Sequence, residues 1–172
     1  MKMRHRSPLL AGLLIAASVT HAEESPTRKV IYHGWDSPDT SYIRAHWEEM
    51  EKMPFDGVGI RVALDRAKPT NGDGSTANLL GWQTFGAVRF SSAQFAEAVV
   101  DLQTPQWTKF TDNFLPLAIA TRDQDQKLDW FDNARWATIV ANWRVLIQLA
   151  RDGNCRGIFL DPESSSSAMI GA

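Results

Sequence analysis

The chain has 172 residues and a formal net charge of −2, and its 18 lysine and arginine residues against 20 aspartate and glutamate residues exclude the strongly basic balance of a nucleic-acid-binding domain. A single cysteine, Cys155, excludes an intrachain disulfide, and the lack of cysteine and histidine clusters argues against a zinc site. We therefore predict no metal, no cofactor and no nucleic-acid partner.

Residues 1–22 have the pattern of a signal peptide, with basic residues near the start, an apolar run over 9–17 and small residues before Glu23. A membrane helix is the alternative, but the run is shorter than the roughly 20 residues needed to span a bilayer. We expect cleavage before Glu23, export to the periplasm or the exterior, and no membrane association afterwards. The rest, about 150 residues, is the size of one domain.

The first predicted strand covers residues 29–34, a short apolar run that ends at Gly34. A helix follows, for which Ser37 is a good N-cap and Pro38 suits the first helical position. Its apolar face is predicted to contain Ile43, Trp47 and Met50. A second buried strand is predicted over residues 56–62.

Residues 63–90 form a long connection rich in Gly, Asn and Asp, and loops of this length are usually functional or disordered. Ser91 and Gln94 then have the spacing of a capping box, which predicts the start of a second helix. The apolar stripe of this helix consists of Phe95, Val99 and Leu102.

A weaker third strand is predicted over residues 113–118, because Pro116 cannot donate a hydrogen bond within a sheet. The strongest helical pattern covers residues 129–152, with Gly153 at the position of a C-cap. The apolar residues at helical spacing are Trp136, Ile139, Val140, Trp143, Ile147 and Ala150. The fourth strand is predicted over residues 155–160.

Apolar strands that alternate with amphipathic helices indicate a parallel sheet covered by helices, of the α/β class. Either an open doubly wound sheet or part of a (β/α)8 barrel fits this order. The first turn lacks the Gly-x-Gly-x-x-Gly loop of nucleotide-binding sheets. A complete barrel takes about 250 residues, so we expect a partial (β/α)8 (TIM-type) barrel of about four units over residues 23–163. Residues 164–172 are expected to form a flexible tail, and the chain to be the N-terminal half of a longer barrel.

Two carboxylates, Asp161 and Glu163, follow the fourth strand. Residues two apart on a strand face the same side, so Phe159, Asp161 and Glu163 are expected to share one face. Two neighbouring carboxyl groups can take different protonation states, which is what glycoside hydrolysis requires. The alternative is that Asp161 opens a turn before Pro162.

Other polar residues follow the first two strands and are candidates for substrate binding: His33, Trp35, Asp36 and Arg61. His33 could equally be structural, and Asp36 could simply open the helix. A buried arginine needs an acidic partner, so Arg61 is expected to pair with Asp161 or Glu163. Among the seven tryptophans, Trp35 and Trp82 could be platforms for sugar rings or could fill the core, and both alternatives stay open.

Five segments of the chain resemble a largely uncharacterised family of exported bacterial proteins that is similar to (β/α)8-barrel glycoside hydrolases. These segments are HGWDSP at 33–38, MEKMPFDG at 50–57, FTDNFL at 110–115, DWFD at 129–132 and GIFLDPE at 157–163. The last segment is also similar to the Asp-x-Glu after strand four of chitinase-type enzymes, although Gly157 and Phe159 stand where that motif has acids. The resemblance implies that Glu163 is the catalytic acid and Asp161 its supporting carboxylate.

The function expected from the sequence is that of a glycoside hydrolase-like protein, with a carbohydrate as its substrate. A non-catalytic carbohydrate-binding protein and an inert fragment of a longer barrel enzyme are the alternatives. A half barrel would leave sheet edges unpaired, so self-association that covers the open half is also expected.

Overall fold

A computed structural model describes residues 28–34, 36–68, 70, 78–118 and 129–161. The predicted signal peptide, Trp35, Glu163 and the predicted tail lie outside these residues. None of the helices within the described ranges combines the length and the apolar character that crossing a membrane would need.

Short strands and helices alternate along the chain, which confirms the α/β class. The elements are β1 (Ile31–Tyr32), α1 (Thr40–Met50), β2 (Gly57–Val58), α2 (Leu80–Gln83), a 3-10 turn (Ser92–Phe95), α3 (Ala96–Gln103), β3 (Phe114–Ala118), α4 (Asn133–Asp152) and β4 (Gly157–Asp161). The first two strands, β1 and β2, are shorter than predicted. A short helix, α2, interrupts the long connection.

The four strands that the structure describes pair with one another in parallel. β1 pairs with β2, and β3 pairs with β4 over five residues from the Phe114–Gly157 pair to the Ala118–Asp161 pair. A parallel bridge between Gly59 and Phe114 joins the two pairs, and the Ile60 N–H donates to the Phe114 carbonyl at 2.7 Å. The strands therefore lie in chain order, and within the described residues they do not close into a barrel.

The third strand, predicted over residues 113–118, is confirmed as β3, and Pro116 within it does not shorten it, because β3 is as long as β4. Backbone groups two residues apart point to the same side of a strand, and Phe114 uses its carbonyl toward β2. Pro116 therefore also faces β2, away from β4. Its missing N–H costs no hydrogen bond with β4.

The N-cap of α1 is Asp39, not Ser37 as the sequence predicts. The Asp39 carboxylate accepts the Tyr42 N–H at 2.9 Å, which satisfies one of the free amides of the first turn. Ser37 is fully buried, and its hydroxyl accepts the Gly34 N–H at 3.0 Å, so it shapes the preceding loop instead. The predicted capping box of Ser91 and Gln94 is confirmed.

The longest helix, α4, is capped by Asp132 and ends at Gly153, the predicted C-cap. The face predicted for it is partly wrong, because Val140 and Ile147 are 44% and 49% exposed. Asn142 is fully buried in their place and faces the core. The core between the helices and the sheet contains Ile43, Ile60, Leu80, Phe110, Leu115, Leu117, Ile139 and Leu146.

Four charged residues stand just before the four strands and join the amino ends of the sheet. Lys29 lies 3.1 Å from Asp112 and 3.6 Å from Asp56, and Arg156 lies 3.2 Å from Asp112. Each exposed ion pair contributes little by itself, but the shared carboxylate of Asp112 makes this cluster a network. We call it the amino-end network.

Candidate functional site

A cavity of about 170 Å³ lies at the carboxyl ends of the strands, opposite the amino-end network. It is lined by His33, Gly34, Arg61, Val62, Leu79, Gly81, Trp82, Pro116, Ala118 and Asp161. His33 directly follows β1, Ala118 ends β3 and Asp161 ends β4, while Arg61 lies three residues beyond β2. In sheets of parallel strands this end is where ligands bind.

Three of the six residues predicted for the site, His33, Arg61 and Asp161, line this one cavity. Asp36 is not part of the cavity lining. Its carboxylate accepts a hydrogen bond from the Tyr32 hydroxyl, and this bond lowers the pKa of Asp36. Trp35 and Glu163 are outside the described residues, so their roles stay predictions.

His33 and Asp161 are in direct contact although 128 residues separate them in the chain. The His33 Nε2 lies 3.1 Å from the Asp161 Oδ2. The His33 ring also packs against the Phe159 ring, with centroids 4.9 Å apart and planes inclined by 54°. Phe159 and Asp161 are two residues apart on β4 and therefore meet the histidine from the same face.

This contact constrains the shape of the sheet. Three strand spacings separate β1 from β4, and in a flat sheet that is about 14 Å. A distance of 3.1 Å between the two side chains is reached only when the sheet curves and its concave face carries both residues. The cavity lies at the end of this concave face.

Arg61 is 9% exposed, and its guanidinium binds two backbone carbonyls beside the cavity. Nη1 donates to the Thr70 carbonyl and Nη2 to the Gly34 carbonyl, both at 3.0 Å. Burial lowers the pKa of Arg61, with Asp36 opposing that effect, but an arginine in a protein keeps its charge. The predicted pairing of Arg61 with Asp161 or Glu163 stays a prediction.

Two residues of the long connection, Thr70 and Gly81, position it beside the cavity, and neither was predicted to have a role. The Thr70 hydroxyl donates to the Asp39 carboxylate at 2.7 Å, which fixes this connection to the start of α1. Gly81 lets α2 lie directly on β3, because a Cβ there would overlap the Pro116 carbonyl. The close approach brings Trp82, one of the two tryptophans considered as a sugar platform, to the cavity lining.

No group of three or more histidine, cysteine, aspartate or glutamate side chains suited to a metal ion occurs among the residues that the structure describes. No protein family, curated protein or solved structure matches the chain in the comparisons.

Proposed function

We propose that the protein is glycoside hydrolase-like and acts on a carbohydrate by carboxylate acid/base catalysis. The observation that carries the proposal is the convergence of His33, Arg61 and Asp161 from three different strand ends on one cavity that Trp82 also lines. A sugar offers hydroxyl groups to charged side chains and an apolar ring face to an aromatic one, and this lining has both kinds of group.

In the proposed reaction Asp161 is the ionised carboxylate and Glu163, two residues further along, is the acid. Glu163 donates a proton to the oxygen that leaves, while Asp161 stabilises the positive charge that develops on the sugar.

We further propose that the fold is part of a (β/α)8 barrel. The chain order of the parallel strands and the curvature required by the His33–Asp161 contact support this proposal. In doubly wound sheets the strand order reverses at one point, and no reversal occurs among the described strands. The resemblance to exported glycosidase-like proteins and the export of the chain are part of the same proposal.

The outer edge of β4 has no partner strand within the part of the chain that the structure describes. Phe159 and Leu160 on this strand are 42% and 48% exposed. An open apolar edge of this kind is a surface for pairing. Self-association stays a prediction, and this edge is where a second copy of the chain would pair.

Replacing Glu163 with Gln and, separately, Asp161 with Asn tests the proposed reaction. We expect each change to lower the release of reducing sugar from glycosides by about a hundredfold or more. Glu163→Gln removes the proton donor, and Asp161→Asn removes the negative charge that stabilises the transition state. The measurement is turnover of a panel of aryl glycosides and polysaccharides, with circular dichroism to check folding.

The matched control is Glu48→Gln, an exposed carboxylate on α1 away from the cavity, which should leave turnover unchanged. If turnover survives in both cavity variants, the assignment of the two carboxylates is wrong. The second candidate function is a carbohydrate-binding protein, which the Trp82 lining also favours. Sugar binding by the unchanged protein without release of product would support this second candidate.

A further inference from the structure

The His33 ring is enclosed on three sides, by Gly59 just after β2 and by Phe159 and Asp161 of β4. A Cβ at position 59 would lie 2.7 Å from the His33 Nδ1, so the ring occupies space that only glycine leaves open. The Phe159 ring packs at 4.9 Å, and the Asp161 carboxylate meets Nε2 at 3.1 Å. We call Gly59, Phe159 and Asp161 the imidazole seat.

The seat determines which ring nitrogen carries the proton. An ionised carboxylate can only accept a hydrogen bond, so the Nε2 of His33 must donate to Asp161. Gly59 lies beside Nδ1, and its backbone amide already donates to the Tyr32 carbonyl at 2.9 Å. The geometry therefore favours the tautomer with its hydrogen on Nε2.

We propose that His33 is a positioning residue, which fixes the rotation of the Asp161 carboxylate at the mouth of the cavity through the Nε2 hydrogen bond. His33 then acts on a ligand through Asp161, and is not itself an acid or a base. The orienting role is a property of the fold, whereas its consequence for catalysis rests on the proposed hydrolase function.

The tautomer of His33 tests the orienting role without any assay of activity. In the ¹⁵N-labelled full chain at mildly alkaline pH, long-range ¹H–¹⁵N correlation should show His33 with its hydrogen on Nε2. The signals are assigned by their loss in His33→Gln. Asp161→Ala should shift His33 toward a mixture of both tautomers, and Asp161→Ser is the second variant if the first does not fold.

The matched control is His46→Gln, because His46 lies on α1 and contacts Glu49 rather than the cavity. This change should leave the His33 tautomer as it is. A hydrogen on Nδ1 in the unchanged protein, or a tautomer that does not respond to the loss of the Asp161 carboxylate, would overturn the proposal.

Turnover adds a second, separate readout. His33→Leu removes the donor, and we expect kcat to fall roughly ten- to hundredfold with KM nearly unchanged, since misplacement of a reacting group costs about this much. His33→Gln keeps an N–H donor and should recover part of kcat. Full kcat in His33→Leu would overturn the positioning role, whereas no turnover by the unchanged protein with the expected tautomer would contradict the proposed function alone.

Discussion

Cys155 lies in the turn between α4 and β4, where its thiol is shielded by the helix and the sheet. Its backbone N–H donates to the Ala150 carbonyl at 2.8 Å, which holds the residue at the end of the helix. Burial raises the pKa of the Cys155 thiol to about 12. The thiolate is the reactive form of cysteine, so this residue should be inert at ordinary pH.

We expect Cys155 to react with iodoacetamide at pH 8 about a thousandfold more slowly than an ordinary thiol, whose pKa is about 8.5. The measurement is the rate of mass increase of the intact protein. The same protein in concentrated urea is the control and should react at the ordinary rate. Equal rates in both conditions would contradict a buried thiol.

The positions of His33, Arg61 and Asp161 could be predicted from the sequence because each follows or interrupts an apolar run, and parallel strands bring their carboxyl ends together. The role of Gly59 could not be predicted. A glycine in a strand pattern has several meanings, and the space it leaves for His33 exists only after β1 and β2 have paired. Trp82 reaches the cavity for a similar reason, because the packing of α2 on β3 is a tertiary contact.

At the scale of elements, the end of α1 is joined to the segment before β3 by one carboxylate. Glu51 accepts the backbone N–H groups of Thr108 and Phe110, both at 3.0 Å, and that of Lys109 at 3.2 Å. Burial by itself would raise the pKa of Glu51, but the hydrogen bonds from Phe110, Thr108 and Lys109 outweigh it and lower the pKa.

Glu51→Gln should destabilise the protein at neutral pH by roughly 1 kcal/mol or less, because solvent screens this carboxylate. A lowered pKa in the folded state means that the ionised Glu51 contributes stability above the unfolded-state pKa of about 4.3 and loses it as the pH falls through the folded-state value. The difference in unfolding free energy between Glu51→Gln and the unchanged protein, measured by urea unfolding, should therefore approach zero as the pH is lowered below the folded-state pKa of Glu51.

The control for this titration is Glu49→Gln on the same helix, whose side chain is 73% exposed. Its stability should differ little from that of the unchanged protein at either pH. A gap for Glu51→Gln that stays constant as the pH is lowered would show that the hydrogen bonds do not depend on the charge.

The orientation of α4 illustrates what apolar periodicity omits. The predicted stripe includes Val140 and Ile147, which are exposed, because apolar periodicity places a polar residue such as Asn142 on the surface. In the structure the Asn142 amide accepts the Phe90 N–H at 2.9 Å and donates to the Val88 carbonyl at 2.8 Å. A polar side chain that satisfies a neighbouring loop can be buried, and its partners lie about 50 residues away in sequence.

At the scale of the whole molecule, the two pairs of strands join where β2 meets the segment before β3. Gly57 begins β2, and a Cβ at this position would overlap the backbone carbonyl of Asp112. The overlap is with backbone, which cannot move aside as a flexible side chain would. The Val58 N–H also donates to the Asn113 side chain at 3.1 Å, so the junction is closely packed.

We expect Gly57→Ala to destabilise the protein by about 1–3 kcal/mol, the usual cost of overpacking, as measured by the urea midpoint. Gly34→Ala is the matched control, because a Cβ there meets only the Asp36 carboxylate oxygen, at 3.2 Å. Similar midpoints for the two variants would mean that the strand pairs are not joined as closely as described.

The alternation of strands and helices, and the parallel direction of the sheet, were predictable from the order of apolar runs. The curvature was not. It depends on contacts such as that of His33 with Asp161, between residues 128 apart in sequence, and no local pattern encodes them. The strand order alone fits an open sheet or a partial barrel. The partial barrel was expected because the first turn lacks a Gly-x-Gly-x-x-Gly loop and the chain is shorter than a complete barrel.

The amino-end network and the cavity occupy opposite ends of the same strands, and this separation has an evolutionary consequence. Lys29, Asp56, Asp112 and Arg156 secure the scaffold without contributing to the cavity lining. Evolution could therefore replace side chains around the cavity and change its ligand specificity, while the amino-end network kept the fold stable.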